Sequence, residues 1–140
     1  MNNPSGKVYL IGAGPGLADL LTARGSQCLA RADVILYDYL ASIQLRDVAS
    51  DDAELICLGR HGAGKIWTQA EINKRMIDDA NAGKTVARLK GGDPAVFGRL
   101  AEEVAALKAA GVDYEIVPGV SAATAAACYA DIPLTNRDAA

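Results

Sequence analysis

The sequence predicts an α/β protein with a five-stranded parallel sheet flanked by helices. Five short apolar runs alternate along the chain with longer segments of helical periodicity. The apolar runs lack the polar alternation of a half-exposed strand, which is typical of strands covered on both faces. Strand–helix alternation repeated this often requires a parallel sheet with right-handed crossovers.

The predicted strands are the apolar runs themselves, and each has the length of a buried strand. In chain order they are Val8–Ile11, Val34–Tyr37, Leu55–Leu58, Thr85–Leu89 and Tyr114–Val117. The carboxyl ends of all five strands are therefore expected at one edge of the sheet.

Helix signals lie between these runs. Thr68 and Glu71 have the spacing of a capping box, and Gly83 is predicted to end the helix that begins there. A second apolar stripe predicts a helix that ends before Gly111. Ser121 can cap an alanine-rich helix that runs to about residue 130.

Composition restricts the classes of protein to consider. The chain has 140 residues, the usual size of one domain, and a net charge of −3, which argues against a nucleic-acid surface. Neither a membrane-spanning apolar segment nor a signal peptide is found, so we expect a cytoplasmic protein. Its three cysteines are expected to be buried thiols, and their spacing predicts no metal site.

Three of the predicted strands run into glycine-rich loops. The loops are Gly12–Gly16, Gly91–Pro94 and Pro118–Ala122. Glycine lets a backbone approach a ligand closely, and ligands of such sheets bind at the carboxyl ends of the strands. Turn geometry explains any one of these loops equally well. Three at the same edge predict a ligand site.

A dinucleotide-binding domain is one interpretation of the first loop. Gly12 to Pro15 is similar to the opening of a flavin or nicotinamide fingerprint, and Asp38 stands where a ribose-binding acid is expected. The fingerprint needs a third glycine at position 17, where this chain has Leu17. The loops alone leave both a dinucleotide site and another small-molecule site open.

A set of motifs along almost the whole chain resembles the tetrapyrrole (corrin and porphyrin) methylases. The similar segments are Val8–Gly16 with Asp19–Thr22, Ala32–Asp38, Arg88–Pro94, Val96–Arg99, Val117–Ala122 and Ile132–Thr135. Within the family, Leu36–Asp38 and the stretch 69–99 look most like uroporphyrinogen-III C-methyltransferases.

The resemblance implies a two-domain α/β fold with the methyl donor, S-adenosylmethionine, bound between the domains. It implies C-methylation of uroporphyrinogen III to precorrin-2, in sirohaem and cobalamin biosynthesis, and S-adenosylhomocysteine as product. Residues 1–140 then correspond to the N-terminal domain, without the second domain, and are expected to be inactive alone. The expected partners are a tetrapyrrole and a second copy of the chain, with no nucleic acid or membrane.

The resemblance assigns donor binding to positions in all three glycine-rich loops. These are Pro15, Gly91, Gly92, Asp93, Val96, Ser121 and Ala122. The carboxylate of Asp93 suits a cationic sulfonium ligand. The same residue is also a suitable N-cap for a following helix with Pro94 at its first position, and the two roles are compatible.

Two catalytic positions follow from the resemblance. Asp38 matches the proton acceptor, although an aspartate at a strand end is also common in solvated turns. The paired proton-donor position falls on Arg60, where the family has lysine. Because a guanidinium is not deprotonated in proteins, we predict that Arg60 binds a substrate carboxylate instead. A non-catalytic binding or dimerisation module is the remaining alternative.

Overall fold

The structure, a computed structural model, describes residues 6–41, 48–59 and 64–138. Within these ranges the chain alternates strands and helices. In order they are β1 (Lys7–Gly12), α1 (Ala23–Leu29), β2 (Val34–Tyr37), β3 (Glu54–Cys57), α2 (Gln69–Asn81), β4 (Thr85–Lys90), α3 (Leu100–Ala109), β5 (Asp113–Val117) and α4 (Ala122–Tyr129). Short 3-10 turns cover Ala18–Leu20 and Tyr39–Ala41.

The five strands form one parallel sheet in the order β3-β2-β4-β1-β5, which confirms the predicted fold class. β4 is the central strand, and it separates β1 from β2. In the register of the sheet, Ile11 pairs with Leu89 on one side and with Val117 on the other. The carboxyl ends of β4, β1 and β5 therefore lie side by side.

The sheet separates two apolar clusters. On one face α2 and α3 pack their apolar stripes against β1, β2 and β4, with Met76 and Leu107 fully buried. On the other face α1 supplies Leu29 to a cluster that includes Ile35 and Leu89. Burial of these side chains is the main contribution to folding stability.

The two outer strands are more exposed than their apolar sequences predict. Leu55 on β3 and Ile116 on β5 are each 41% exposed, whereas β1, β2 and β4 are largely buried. An edge strand has a neighbour on one side only, so the helical layers cover it incompletely.

The prediction of buried thiols is right for Cys28 and wrong for Cys57 and Cys128, which are exposed. No helix among the described residues is long and apolar enough to cross a membrane.

The helix boundaries follow local signals in the sequence. The capping box is confirmed, since the Thr68 amide donates to Glu71 Oε2 at 2.8 Å and the Glu71 amide donates to Thr68 Oγ1 at 3.3 Å. Gly83, with φ of 85°, follows the end of α2 as predicted. Ser121 occupies the N-cap position of α4, but its hydroxyl makes no capping hydrogen bond.

Candidate functional site

Three loops meet at the carboxyl edge of the central strands, and we call their meeting point the glycine junction (Gly12, Gly14, Gly92 and Gly119). The Gly14 amide donates to the Gly92 carbonyl oxygen at 3.1 Å, and the Gly92 amide donates to the Gly14 carbonyl oxygen at 2.8 Å. This pair of hydrogen bonds joins the loop after β1 to the loop after β4.

At Gly12 and Gly119 the backbones of the glycine junction pack too closely for any side chain. A Cβ on Gly119 would lie 2.7 Å from the Gly12 Cα, and a Cβ on Gly12 would lie 2.6 Å from the Gly92 carbonyl oxygen. Gly14 and Gly92 also have φ of 74° and 65°, a backbone region that glycine adopts most readily. These glycines are therefore needed for the close approach of the three loops.

Gly91 is different from the glycines of the junction. A Cβ placed on it would meet no atom within 4 Å, and its φ is not positive. Neither crowding nor backbone conformation therefore explains why residue 91 is a glycine. Open space beside a bare backbone leaves room for a ligand to contact the main chain.

Asp93 links two of the loops through its carboxylate. Its Oδ1 accepts a hydrogen bond from the Ala95 amide at 2.8 Å, and its Oδ2 accepts one from the Gly119 amide at 3.0 Å. The prediction of an N-cap was wrong, because the next helix begins only at Leu100. An Asx-type turn forms there instead. Lone pairs remain on both carboxylate oxygens for a ligand.

The structure brings the predicted donor-binding positions of different loops together. A Cβ on Gly92 would lie 3.4 Å from the Ala122 amide nitrogen and 3.9 Å from the Ser121 Cα. Pro15 directly follows Gly14 of the junction and is partly exposed. Val96, which is 45% exposed, lies in the turn after Asp93, where its amide donates to the Asp93 carbonyl oxygen at 3.2 Å. The three loops therefore form one surface.

Asp38 lies directly after β2 and forms an ion pair. Its Oδ1 accepts a hydrogen bond from Arg88 Nη2 at 2.9 Å, and its side chain is 41% exposed. The carboxylate is therefore partly open to solvent and is held on one side by a buried guanidinium. This differs from an aspartate in a fully solvated turn.

A cleft of about 480 Å³ lies beside Asp38. Its wall combines charged groups with apolar and aromatic ones, among them Asp38, Trp67, Arg88, Lys90, Phe97 and Arg99. The side chain of Phe97 is fully exposed, and Phe97 and Arg99 have positive φ angles of 51° and 52°. Such strain in non-glycine residues costs about 1–3 kcal/mol each and is commonly found at functional sites. Gly91 also lines the cleft, which connects it with the glycine junction.

A buried charge network lies at the cleft, and we call its two lining cations, Arg88 and Lys90, the floor of the cleft. Glu103 on α3 is fully buried and accepts hydrogen bonds from Arg88 Nε at 3.1 Å and Lys90 Nζ at 2.8 Å. Gln69 Nε2 also donates to Glu103 at 3.3 Å. Burial, and then the nearby Arg88 charge, lower the pKa of Lys90, while the Glu103 carboxylate opposes them.

Sequence reasoning assigned no role to this network. Arg88 and Lys90 lie in the segment Arg88–Pro94 that resembles the methylases, but what makes them unusual is their burial in a central strand. The available signal was two cations two residues apart in an otherwise apolar run, which places both on one face of β4. Nothing in the sequence indicates that Glu103 is their partner.

Two further arginines bear on the cleft. Arg60, predicted to bind a substrate carboxylate, lies outside the described residues. Arg99 lines the cleft and is bound to Glu102 by hydrogen bonds of 2.8 and 2.7 Å. Within the described ranges, no group of three histidine, cysteine or acidic residues is placed to hold a metal ion.

Fold and site together are those of an α/β domain whose glycine loops and charged cleft share one edge of a parallel sheet, the edge at which sheets of this kind bind small molecules. Residues 7–140 match the family of tetrapyrrole (corrin/porphyrin) methylases. The chain therefore belongs to this methyltransferase family, as the motifs predicted.

Relatives and solved structures agree with this membership. The chain is 53% identical over 135 residues to a siroheme synthase of Cronobacter sakazakii, covering 96% of this chain and 29% of that protein. A uroporphyrin-III C-methyltransferase of Thermus thermophilus has the same fold, with a TM-score of 0.84 and 42% identity over 95% of this chain and 56% of that one. A second structure of the Thermus enzyme, complexed with S-adenosylhomocysteine, gives a TM-score of 0.79 at 42% identity, covering 94% of this chain and 54% of that one. The chain thus spans about half of the solved methyltransferases and under a third of the siroheme synthase.

Proposed function

We propose that this chain is the donor-binding domain of an S-adenosylmethionine-dependent enzyme that C-methylates uroporphyrinogen III to precorrin-2, on the route to sirohaem and cobalamin. The observation that carries the proposal is the glycine junction, with open space at Gly91, directly beside the cleft that contains Asp38. Family membership and the likeness to a methyltransferase complexed with S-adenosylhomocysteine support it. We further propose residues 1–140 as the first of two domains.

The residues present fit the proposed donor. The exposed backbone at Gly91 and the remaining lone pairs of Asp93 can receive the hydrogen-bonding groups of a nucleoside. The carboxylate also places a negative charge near the sulfonium. S-adenosylmethionine would supply an electrophilic methyl group, and the role of Pro15, Gly92, Val96, Ser121 and Ala122 would be to enclose it.

Asp38 is proposed as the proton acceptor. Methylation of a pyrrole carbon requires that the ring later lose a proton, and a positioned carboxylate can take it. Arg88 holds Oδ1 at 2.9 Å, and a carboxylate has lone pairs on both oxygens, so the proton can go to the other one. General-base help of this kind is typically worth about 10²–10⁴ in rate.

The cations of the cleft suit a substrate with several carboxylates. Arg88 and Lys90 form its floor and Arg99 part of its wall. Their positive charges favour acetate and propionate groups, and hydrogen bonds between ionised partners are stronger than neutral ones. Arg60 is proposed to add a further contact of this kind, in place of the family's lysine.

The strand order weighs against a dinucleotide-binding domain. In that fold the acid after the second strand lies beside the first strand. Here β4 lies between β1 and β2, so Asp38 belongs to a strand about 10 Å from β1. The missing glycine at position 17 agrees with this conclusion.

A non-catalytic binding or dimerisation module is the other alternative. It differs from the proposed enzyme only in the absence of turnover, which a methyl-transfer assay measures.

A homodimer is proposed as the assembly, as the family resemblance implies. Exposed apolar side chains such as Phe97, Tyr129 and Leu134 are compatible with a further covering surface. Sedimentation equilibrium of the protein would give twice the chain mass if the proposal is right.

Isothermal titration calorimetry with S-adenosylhomocysteine tests the donor site, with NAD and FAD as controls. Saturable binding of S-adenosylhomocysteine alone is expected. Binding of NAD or FAD instead would refute the proposal. If none binds, the titration is repeated with a protein that includes a second methylase domain, and failure there also refutes it.

A further inference from the structure

We propose that Glu103 is a positioning residue of the cleft: its carboxylate holds Arg88 and Lys90 as the two cations of the floor and directs Arg88 towards Asp38. The inference deepens the proposed function and rests on it only for the choice of an anionic tetrapyrrole as probe.

Glu103 is the negatively charged partner that Arg88 and Lys90 share. Its side chain is fully buried, and Arg88 and Lys90 retain 5% and 3% of their side-chain exposure. Oε1 accepts from Arg88 and Gln69, and Oε2 accepts from Lys90. Two buried cations thus share one buried carboxylate, and within the described part of the chain only Arg88 has a further ionic partner, in Asp38. A buried charge without a partner is strongly unfavourable.

Arg88 transmits this arrangement to Asp38. Its Nε donates to Glu103 at 3.1 Å, its Nη1 donates to the Leu89 carbonyl oxygen at 3.0 Å, and its Nη2 donates to Asp38 at 2.9 Å. Because a guanidinium is planar, hydrogen bonds that hold Nε and Nη1 also determine the direction in which Nη2 points. Glu103 therefore determines the orientation of a carboxylate that it does not touch.

Lys90 gives the floor its sensitivity to pH. Burial and then the Arg88 charge lower its pKa, while the Glu103 carboxylate and the Asp38 charge oppose them. Among the described residues, the other charged and titratable groups around the cleft are Asp38 and Tyr39 after β2 and Arg99 before α3. Above the pKa of Lys90, the floor loses one of its two positive charges.

The variant Glu103→Gln keeps the shape of the side chain and removes its charge. The pKa of Lys90 should then fall further, so that its amine loses its proton at a lower pH than in the wild type. Glu54→Gln is the matched control, because Glu54 is exposed at the start of β3 and pairs with Arg75, remote from the cleft.

Two measurements on the chain test the proposal. The first is the titration of Lys90 by its ¹³Cε NMR signal, and the second is the affinity for uroporphyrin by fluorescence quenching between pH 7 and 10, where its carboxylates stay ionised. We expect Glu103→Gln to move both transitions to lower pH and to weaken uroporphyrin binding about tenfold, while S-adenosylhomocysteine binding is unchanged. Glu54→Gln should behave as the wild type.

Identical Lys90 titrations in wild type and Glu103→Gln would overturn the proposal, and so would an unchanged pH profile for uroporphyrin. If the wild type binds S-adenosylhomocysteine but no uroporphyrin at any pH, the proposed role of the floor is wrong. If it binds neither, even with a second methylase domain, the proposed function fails instead.

A second variant keeps the test decisive if Glu103→Gln does not fold. Lys90→Gln leaves Glu103 paired with Arg88 and should bind uroporphyrin more weakly but without the loss of affinity at high pH. A loss of affinity at high pH that persists in Lys90→Gln would assign the loss to another group and overturn the proposal.

Discussion

Substituting Gly119 by alanine should destabilise the protein by about 3 kcal/mol. The new methyl group would lie 2.7 Å from the Gly12 Cα and in severe overlap with the Gly92 carbonyl oxygen. Both neighbours are backbone atoms, which cannot move aside as a flexible side chain can. Overpacking of this kind typically costs about 1–3 kcal/mol.

Relief of the overlap would require the loop after β4 to move. The Gly92 carbonyl oxygen accepts the Gly14 amide at 3.1 Å, and the Gly119 amide donates to Asp93 at 3.0 Å, so both hydrogen bonds would be strained. Loss of one adds about 0.5–1.5 kcal/mol, which brings the expected total to about 3 kcal/mol.

Urea denaturation measures this effect. A loss of about 3 kcal/mol lowers the urea midpoint by about 1–3 M for a domain of this size. Gly91→Ala is the control within the same set of loops, because its methyl group meets no atom within 4 Å, and its stability should stay within about 0.5 kcal/mol of the wild type. If Gly119→Ala is as stable as Gly91→Ala, the loops do not pack as described.

Three further predictions concern the donor surface, the core and the first turn of α2. Gly91→Ala should weaken S-adenosylhomocysteine binding about tenfold by calorimetry while leaving the fold intact; unchanged affinity would mean that the donor does not contact this backbone. Met76→Ala, at a fully buried position, should cost about 2–5 kcal/mol in urea denaturation, and a cost below 1 kcal/mol would show that the side chain is not in the core. Hydrogen bonds from Lys65 and Thr68 lower the pKa of Glu71 from 4.5 to about 2, so its stabilising effect should be complete above pH 4.5 and decline as the pH falls towards 2. Urea midpoints measured from pH 6 to 2.5 should show this decline in the wild type to a greater extent than in Glu71→Gln, and equal declines would contradict it.

Features set by short stretches of sequence were predicted well. The bounds of β2 and the capping box at Thr68 agree with the structure, because apolar runs and caps depend on neighbours within a few residues. The glycine-rich loops were placed at the right edge because parallel strands all end on the same side. These local rules were sufficient for the fold class.

Features that depend on distant parts of the chain were not predicted. The sequence did not indicate that β4 inserts between β1 and β2, or that β3 and β5 are partly exposed edges. Asp93 satisfied the rules for an N-cap, but its bond to Gly119, 26 residues away, depends on how two loops meet. The partner of Arg88 and Lys90 likewise lies on the next helix.

The most direct test of the donor site is an NMR titration of the ¹⁵N-labelled chain with S-adenosylhomocysteine. If the three loops form the site, the largest shift changes should fall on the amides of Gly91, Gly92, Asp93, Ser121 and Ala122. Amides at the start of β3, such as that of Glu54, should not change. Saturable changes confined to other parts of the chain would contradict the proposed donor site.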